Sequence, residues 1–265
     1  MNDSRLFDKL FCKMQGSGPD LVLLHGWGMN ADIWDGVVPM LAKHHRVTGV
    51  DLPGHGRSGN PGGDYSLSAQ AKKIAEILPS GSTLVGWSLG GLLALQVALE
   101  FPRRIKALVL VASSPRFVRA GDWPDAMEGD VLRGFANELQ SDFTKTIKRF
   151  LAIQVLGSEH AREELRLLRE RVFAHGEADR KALASGLDIL MTADFRERLP
   201  QLQCPTLLLS GERDTLFPVQ AAQRTQALLP DATLRVVQGA GHAPFLSHPE
   251  DFVHALQEFL DDDKS

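Results

Sequence analysis

Six short apolar runs, most of them followed by a stretch with helical spacing, constrain this chain more than any other feature. They are "DLVLLHG" (20–26), "RVTGVDLPG" (46–54), "STLVGW" (82–87), "KALVLVAS" (106–113), "PTLLLSG" (205–211) and "TLRVVQG" (233–239). Runs this short and this apolar read as strands buried on both faces. Helical stretches at roughly 30–44, 66–78, 89–101, 217–229 and 249–260 supply the covering, so the pattern predicts an α/β fold with a mostly parallel central sheet and helices on both faces. One interval breaks the alternation. Almost a hundred residues between the strands near 110 and 207 carry no strand signal and read as helices around 125–139, 142–156, 158–175 and 179–191. Gly157 and Gly176 serve as helix stops there, and Ser141 and Ser158 as starts. The expected organisation is a core of 1–115 and 196–265 with a helical cap inserted over 116–195.

Composition narrows the function classes. A net charge of -4 argues against general nucleic-acid binding, which favours a basic surface. The two cysteines, Cys12 and Cys204, are far apart and form no metal-ligand cluster, so a reduced compartment and no metal or cofactor are expected. The stretch "MNDSRLFDKLFCKMQ" has no apolar core before a small-residue cleavage site, and no run approaches a membrane span. A cytoplasmic monomer without membrane contact is the expectation.

The chemistry concentrates where runs end. In open α/β sheets functional groups gather beyond the carboxyl ends of the strands. Ser88 lies at such an end, in Gly86-Trp87-Ser88-Leu89-Gly90, the pattern of a nucleophile elbow whose small neighbours let a tight turn present the hydroxyl. A serine N-cap on a glycine-bearing turn would look the same locally. An alcohol needs a base, and the base an orienting acid. His242 in "QGAGHAPF" follows the last apolar run, whereas His248 precedes a proline at a helix start and His254 lies within that helix. Asp214 in "SGERDTLFP" is the acid candidate, and its order after Ser88 and before His242 is that of an α/β hydrolase. Asp51 is a rival acid, although its place at the head of "DLPGHGRSG" suits hydrogen bonding to loop amides. A tetrahedral intermediate also needs two donors. The backbone N–H groups of Leu89 and of Trp27, in the turn "LLHGWGMN", are the candidates, with His25 bracing that turn.

On these motifs the chain resembles the α/β-hydrolase superfamily over essentially its full length. "LVLLHGWGMNADIW", "VDLPGHGRS", "GWSLGGLLALQVAL", "VASSPRFV", "RFLAIQVLGSE" and "GHAPFLSHP" together resemble the pimeloyl-[acyl-carrier protein] methyl ester esterases of biotin synthesis. The discriminating blocks are "GWSLGG" paired with "HGWG", "VASSP", and "RFLAIQ" within the cap. The resemblance implies a serine carboxylesterase that frees the distal carboxylate of a carrier-bound pimeloyl chain. It assigns Ser88, Asp214 and His242 as the triad, Trp27 and Leu89 to the oxyanion, and Phe150, Leu151, Ala152, Ile153 and Gln154 to the acyl wall. It assigns docking of acidic acyl-carrier protein to Lys145, Arg149, Arg162 and Arg166, with lysine standing at 145 where the family pattern has arginine.

The residues themselves say less about substrate. Phe143, Ile147, Phe150 and Leu151 give one helix an apolar face, which equally packs a cap on a core. Residues 141–172 hold seven Lys/Arg against five Asp/Glu, a local +2, with Lys145 and Arg149 on one face and Arg162 and Arg166 on another. Pairs such as Glu159–Arg162 and Glu163–Arg166 are also ordinary solvated helix pairs. A general short-chain carboxylesterase, a carbon–carbon bond hydrolase, or a hydrolase-fold binding module without turnover remain the alternatives. Relatives with an aspartate nucleophile are disfavoured by Ser88.

Overall fold

The structure, a computed structural model, describes residues 3–7, 10–59 and 63–262. Its strands are β1 (Asp3–Phe7), β2 (Leu10–Gln15), β3 (Asp20–Leu24), β4 (Arg46–Val50), β5 (Ser82–Trp87), β6 (Ile105–Val111), β7 (Thr206–Gly211) and β8 (Ala232–Val237). They form one sheet in the order β1-β2-β4-β3-β5-β6-β7-β8. β3 to β8 pair in parallel, and the β1–β2 hairpin adds antiparallel to the edge at β4. β5 and β7 are buried at every position, as strands covered on both faces must be.

The helices are α1 (Val38–Leu41), α2 (Leu67–Ile77), α3 (Leu89–Glu100), α4 (Gly129–Ser141), α5 (Phe143–Gln154), α6 (Ala161–Val172), α7 (Arg180–Thr192), α8 (Val219–Leu228), α9 (Pro244–Ser247) and α10 (Pro249–Asp262). α3 packs on β5 and β6 below and on α2 and α7 at its sides, so Leu89 through Ala98 are buried and the helix has no polar face. Helices α4 to α7 all fall between β6 and β7 and lie over the carboxyl end of the sheet; they are called the cap below. α6 and α7 are tied to the core through backbone carbonyls. Trp27 Nε1 donates to Leu183 O at 2.8 Å, Asn30 Nδ2 to Arg171 O at 2.7 Å, and the Asp179 amide to Gly54 O at 2.8 Å.

Three sequence expectations are corrected. The β1–β2 hairpin at the sheet edge carries no apolar-run signal: β1 reads DSRLF, and of LFCKMQ in β2 Leu10 and Cys12 are the buried residues. The helix expected over 30–44 is instead a 3₁₀ turn at Ala31–Trp34 and the four-residue α1. Pro39 lacks the N–H a continuous helix would use, and the Ala31 amide is captured by Asp51 Oδ1 at 2.6 Å. Ser141 and Ser158 do not start helices. Asp142 caps α5 by accepting from the Lys145 amide, and Ser158 Oγ donates instead to the Glu164 carboxylate. Gly157 and Gly176 do stop helices, at φ 87° and 83°.

Candidate active site

The turn from β5 into α3 places Ser88 in a backbone conformation that side chains rarely adopt, φ 54° and ψ -117°. Such a residue costs of order 1–3 kcal/mol and persists only when its surroundings dictate it. Here they do. The Ser88 amide donates to Val111 O at 3.0 Å, and Ser113 Oγ donates to Ser88 O at 2.8 Å. The neighbouring glycines are required by contact rather than by flexibility. A methyl group at Gly86 would collide with the Gly90 backbone, one at Gly90 would lie 2.6 Å from Leu24 O, and one at Gly91 would overlap Ser113. Helix α3 can therefore start against the sheet only with glycine at all three positions. Leu89, its first residue, has one of the N–H groups that no helical carbonyl reaches.

The turn after β3 comes to the same spot. A Cβ on Gly26 would stand 3.4 Å from the Ser88 Cβ and 3.1 Å from the Trp87 ring, so the backbone leading into Trp27 passes directly beside the serine. His25 locks this turn: Nδ1–H donates to Gly26 O at 2.8 Å and Nε2 accepts from the Leu52 amide at 2.9 Å. Burial, reinforced by the nearby His55, pushes His25 down to about 3, so it stays neutral and holds that tautomer. Asp51 sits behind it, fully buried, accepting from the amides of Ala31 and Arg57 and from the Arg57 guanidinium. Burial alone would raise its carboxyl, but Arg57, His25 and the two amides bring it below the usual carboxylate range. Asp51 thus braces two loops and does not pair with His242.

Asp214 lies three residues past β7 and His242 five past β8, both almost wholly buried. His242 Nδ1 and Asp214 Oδ2 are 2.8 Å apart. The other carboxylate oxygen, Oδ1, accepts from the amides of Leu216 at 2.8 Å and Phe217 at 3.0 Å, which leaves the acid one orientation. His248 and His254 are elsewhere. His248 contacts Ser247 and His160, and His254 reaches Glu258 on the exposed face of α10.

Ser88 and His242 line one cavity of about 10 Å³, room for a single water, with Phe117, Met127, Leu132, Phe150, Leu190 and Leu216. Its wall is otherwise apolar, which suits an acyl chain and excludes bulk water. Of the five residues 150–154, only Phe150 lines this cavity; its ring meets Trp27 edge-on at 4.5 Å. Leu151 is buried in the hydrophobic core, Gln154 is buried with its carbonyl on the His242 amide at 3.3 Å, Ile153 is half-buried and Ala152 is exposed. Helical geometry accounts for the spread, since five consecutive residues cannot share one face. The Phe143 side chain lies outside the described residues. Phe117, Met127, Leu132, Leu190 and Leu216 escaped sequence reasoning; the apolar faces of α4 and α7 carry the signal for two of them, and nothing local marks the others.

The four basic candidates are all exposed on the cap. Arg149 pairs with Glu138 and lies over the Phe135 ring, and Arg166 pairs with Glu170 at 2.7 Å and Glu163 at 3.6 Å. Glu159 turns to Arg213 rather than to Arg162. A roomier recess of about 470 Å³ lies beside Trp123, Arg196 and Arg224, away from Ser88, and these arginines are already paired with Asp122, Asp194 and Asp125. Among the described residues no group of acids, histidines and cysteines forms a metal site, and no helix is long and apolar enough to cross a membrane.

The strand order, the strained serine and the buried acid–histidine pair beyond β7 and β8 define the architecture of an α/β hydrolase, and the model of the alpha/beta hydrolase fold family matches residues 19–249. The pimeloyl-[acyl-carrier protein] methyl ester esterase of Aeromonas hydrophila subsp. hydrophila is 46% identical over 92% of this chain and 96% of its own length. The enzyme of that name from Sodalis glossinidius is 46% identical over 94% and 97%. Among solved structures, an esterase from Exiguobacterium antarcticum superposes with a TM-score of 0.85 at 25% identity, covering 97% of this chain and 96% of that one. The chain belongs to the α/β-hydrolase family, in the branch of the pimeloyl-[acyl-carrier protein] methyl ester esterases.

Proposed function

We propose that this chain is a carboxylic ester hydrolase that removes the methyl group from a pimeloyl chain carried on acyl-carrier protein, as its 46%-identical relatives are named for doing. The observation that carries the chemistry is the His242–Asp214 contact of 2.8 Å behind a serine held at φ 54° on the same small cavity. In this reading Ser88 Oγ attacks the ester carbonyl while His242 Nε2 takes its proton. The oxyanion accepts hydrogen bonds from the Trp27 and Leu89 amides. Methanol then leaves with the proton from His242, and water, deprotonated by the same nitrogen, releases the carboxylate from Ser88. Asp214 keeps Nδ1 protonated and stabilises the imidazolium. Every proton moves between side chains and substrate, so the reading needs no cofactor.

Residues 116–195 act as the cap over the acyl chain. A seven-carbon chain is larger than the closed cavity, so Phe150 and the apolar side chains around it move apart to admit it. Lys145, Arg149, Arg162 and Arg166 form the surface that meets the acidic carrier, with the protein acting as a monomer in the cytoplasm. Support for the surface is its exposure and local positive charge, and Arg149 and Arg166 exchange their own acids, Glu138 and Glu170, for those of the carrier. The test is hydrolysis of the carrier-linked pimeloyl methyl ester, read as methanol release, beside p-nitrophenyl acetate. A large preference for the carrier substrate is expected. Equal efficiency on both would reduce the protein to a general small-ester hydrolase.

A further inference from the structure

The residue just before the serine of the elbow is a tryptophan, and its indole reaches a partner 155 positions away. Trp87 Nε1 donates to the backbone carbonyl of His242 at 2.8 Å. The same ring packs against the His242 imidazole at 5.9 Å between centroids and edge-on against Phe245 at 5.1 Å, and it is fully buried. From the opposite side, the last carbonyl of α5, that of Gln154, accepts from the His242 amide at 3.3 Å. His242 therefore has both of its backbone polar groups held, one by the strand that carries the serine and the other by the cap. The segment that delivers it contains Gly239, at φ 72°, and Gly241, residues with the widest backbone freedom. The segment is anchored upstream, where Gly239 and Ala240 bond to Glu159, Glu212 and the Arg213 amide, but at His242 itself the backbone is held by the Trp87 and Gln154 bonds. Asp214 fixes the ring at Nδ1 alone, so the direction of Nε2 is set by the backbone at His242, which those two bonds hold.

We infer that Trp87 is a positioning residue for the histidine base, and that the Gln154 carbonyl makes the alignment of that base depend on how α5 is seated. The inference rests on His242 being the base in the proposed reaction. It gives the cap a part in catalysis beyond covering the site. An acyl chain long enough to pack along α5 steadies the helix, and with it the carbonyl that holds the base. A short ester leaves that grip to chance, and the rate then depends on the indole alone.

Replacing Trp87 by its benzothiophene isostere removes the N–H and keeps the shape; Trp87→Phe is the simpler companion. Rates are taken per mole of folded protein, measured by near-ultraviolet circular dichroism, so that loss of folded protein does not count as loss of catalysis. For p-nitrophenyl acetate the isostere is expected to lower kcat about tenfold to a hundredfold with KM unchanged, the scale that misplacement by an ångström brings. The low-field Nδ1 proton of His242 should broaden in its NMR spectrum, which a purely structural role would not produce at unchanged melting temperature. For the carrier-linked pimeloyl methyl ester the fall should be several-fold smaller. His242→Ala, measured alongside, should be nearly inactive on both esters. Wild-type kcat in the isostere with His242→Ala inactive would overturn the role of Trp87. An equal fall on the two esters would overturn the share given to Gln154. Activity retained in His242→Ala would remove the base itself, and this inference with it.

Discussion

The core and the cap solve different problems with different parts of the chain. At the carboxyl ends of β5 and β6 the arrangement is made by backbone: a serine and an alanine at positive φ, glycines that no methyl group can replace, and amides and carbonyls that pair across turns. In the cap, α5 and α6 present one buried face and one exposed face, and their meeting with the core is made by side chains such as Phe150 on Trp27. In the proposed reaction the hydroxyl has to stand within a fraction of an ångström of its target, and it is held by the stiffer material. The surface that parts for the substrate in that proposal is held by aromatic contacts worth about 0.5–1.5 kcal/mol each.

That contrast breaks most sharply at Ser88. Ser88→Ala should leave the melting temperature nearly unchanged and reduce kcat by roughly a millionfold, the scale known for triad serines. Near-normal turnover in that variant would mean that the stiff end of the molecule is not where the chemistry is.

Matched glycine substitutions sharpen the contrast next. Gly91→Ala drives a methyl into Ser113 and should cost about 1–3 kcal/mol, the usual penalty of overpacking. Gly134→Ala in α4 meets nothing within 4 Å and should stabilise by a few tenths to about 1 kcal/mol, through helix propensity. Differential scanning calorimetry reads both. At this size 1 kcal/mol moves the melting temperature by roughly 2–4 °C, so the two should move in opposite directions.

Smaller effects belong to the cap's outer face. Reversing Arg162 and Arg166 to Glu should raise KM for the carrier-linked ester several-fold and leave p-nitrophenyl acetate alone. Added salt should then weaken wild-type turnover of the carrier ester more than the variant's, since exposed charges are screened over about 8 Å. A fall in both activities would report a damaged cap instead.

The mildest contrast is in pH. His25 is pushed down to about 3 and Asp51 below the usual carboxylate range, so in each case the unfolded chain binds more protons on acidification. Core stability falls as pH drops below about 6.5 for His25, and again as pH passes below ~3.8 towards the folded value of Asp51. Glu164, on α6, has the opposite sign. Burial raises its carboxyl, with Ser158 and His160 only partly offsetting this, so its contribution is fully present below ~4.5 and is lost as pH rises through its folded value. Hydrogen exchange at pH 7 and pH 5, corrected for intrinsic rates, should show α3 less protected and α6 relatively more protected at the lower pH. Glu164→Gln should abolish the second trend; parallel changes in both helices would defeat the distinction.

The same divide explains what could be read from sequence. The unit from Ser82 to Glu100 was legible because each constraint is local: an apolar run, glycines where α3 meets β5, and a serine between them. The meeting of Asp214 with His242 was legible by position, since the carboxyl ends of neighbouring parallel strands lie side by side. The β1–β2 hairpin was not, because β2 takes its pairing from β4 and β1 from β2, and at the sheet edge neither needs an apolar run of its own. The cap helices appear within a few residues of their expected places, Gly157 and Gly176 marking their ends. Which side chains face the serine is another matter. That depends on the rotation of the cap helices about their axes, and α6 and α7 are fixed only when Arg171 and Leu183 meet Asn30 and Trp27 far back in the chain. The bond from Trp87 to His242 is of the same long-range kind.

The insertion of the cap between β6 and β7 also sets a timetable for the ribosome. Ser88 and its elbow emerge early, while roughly ninety residues separate Val111 from Thr206, where β7 begins. At about 5–20 residues per second, the interval between the two strands is about 5–20 s of synthesis. Through that time β6 has an unpaired parallel edge and α3 has only part of its cover. The helices of α4 to α7, made of local contacts, can form while they wait. The nascent chain thus holds Ser88 without Asp214 or His242 until β7 and β8 dock, and under the proposed mechanism esterase activity should appear only when the last strand has cleared the tunnel.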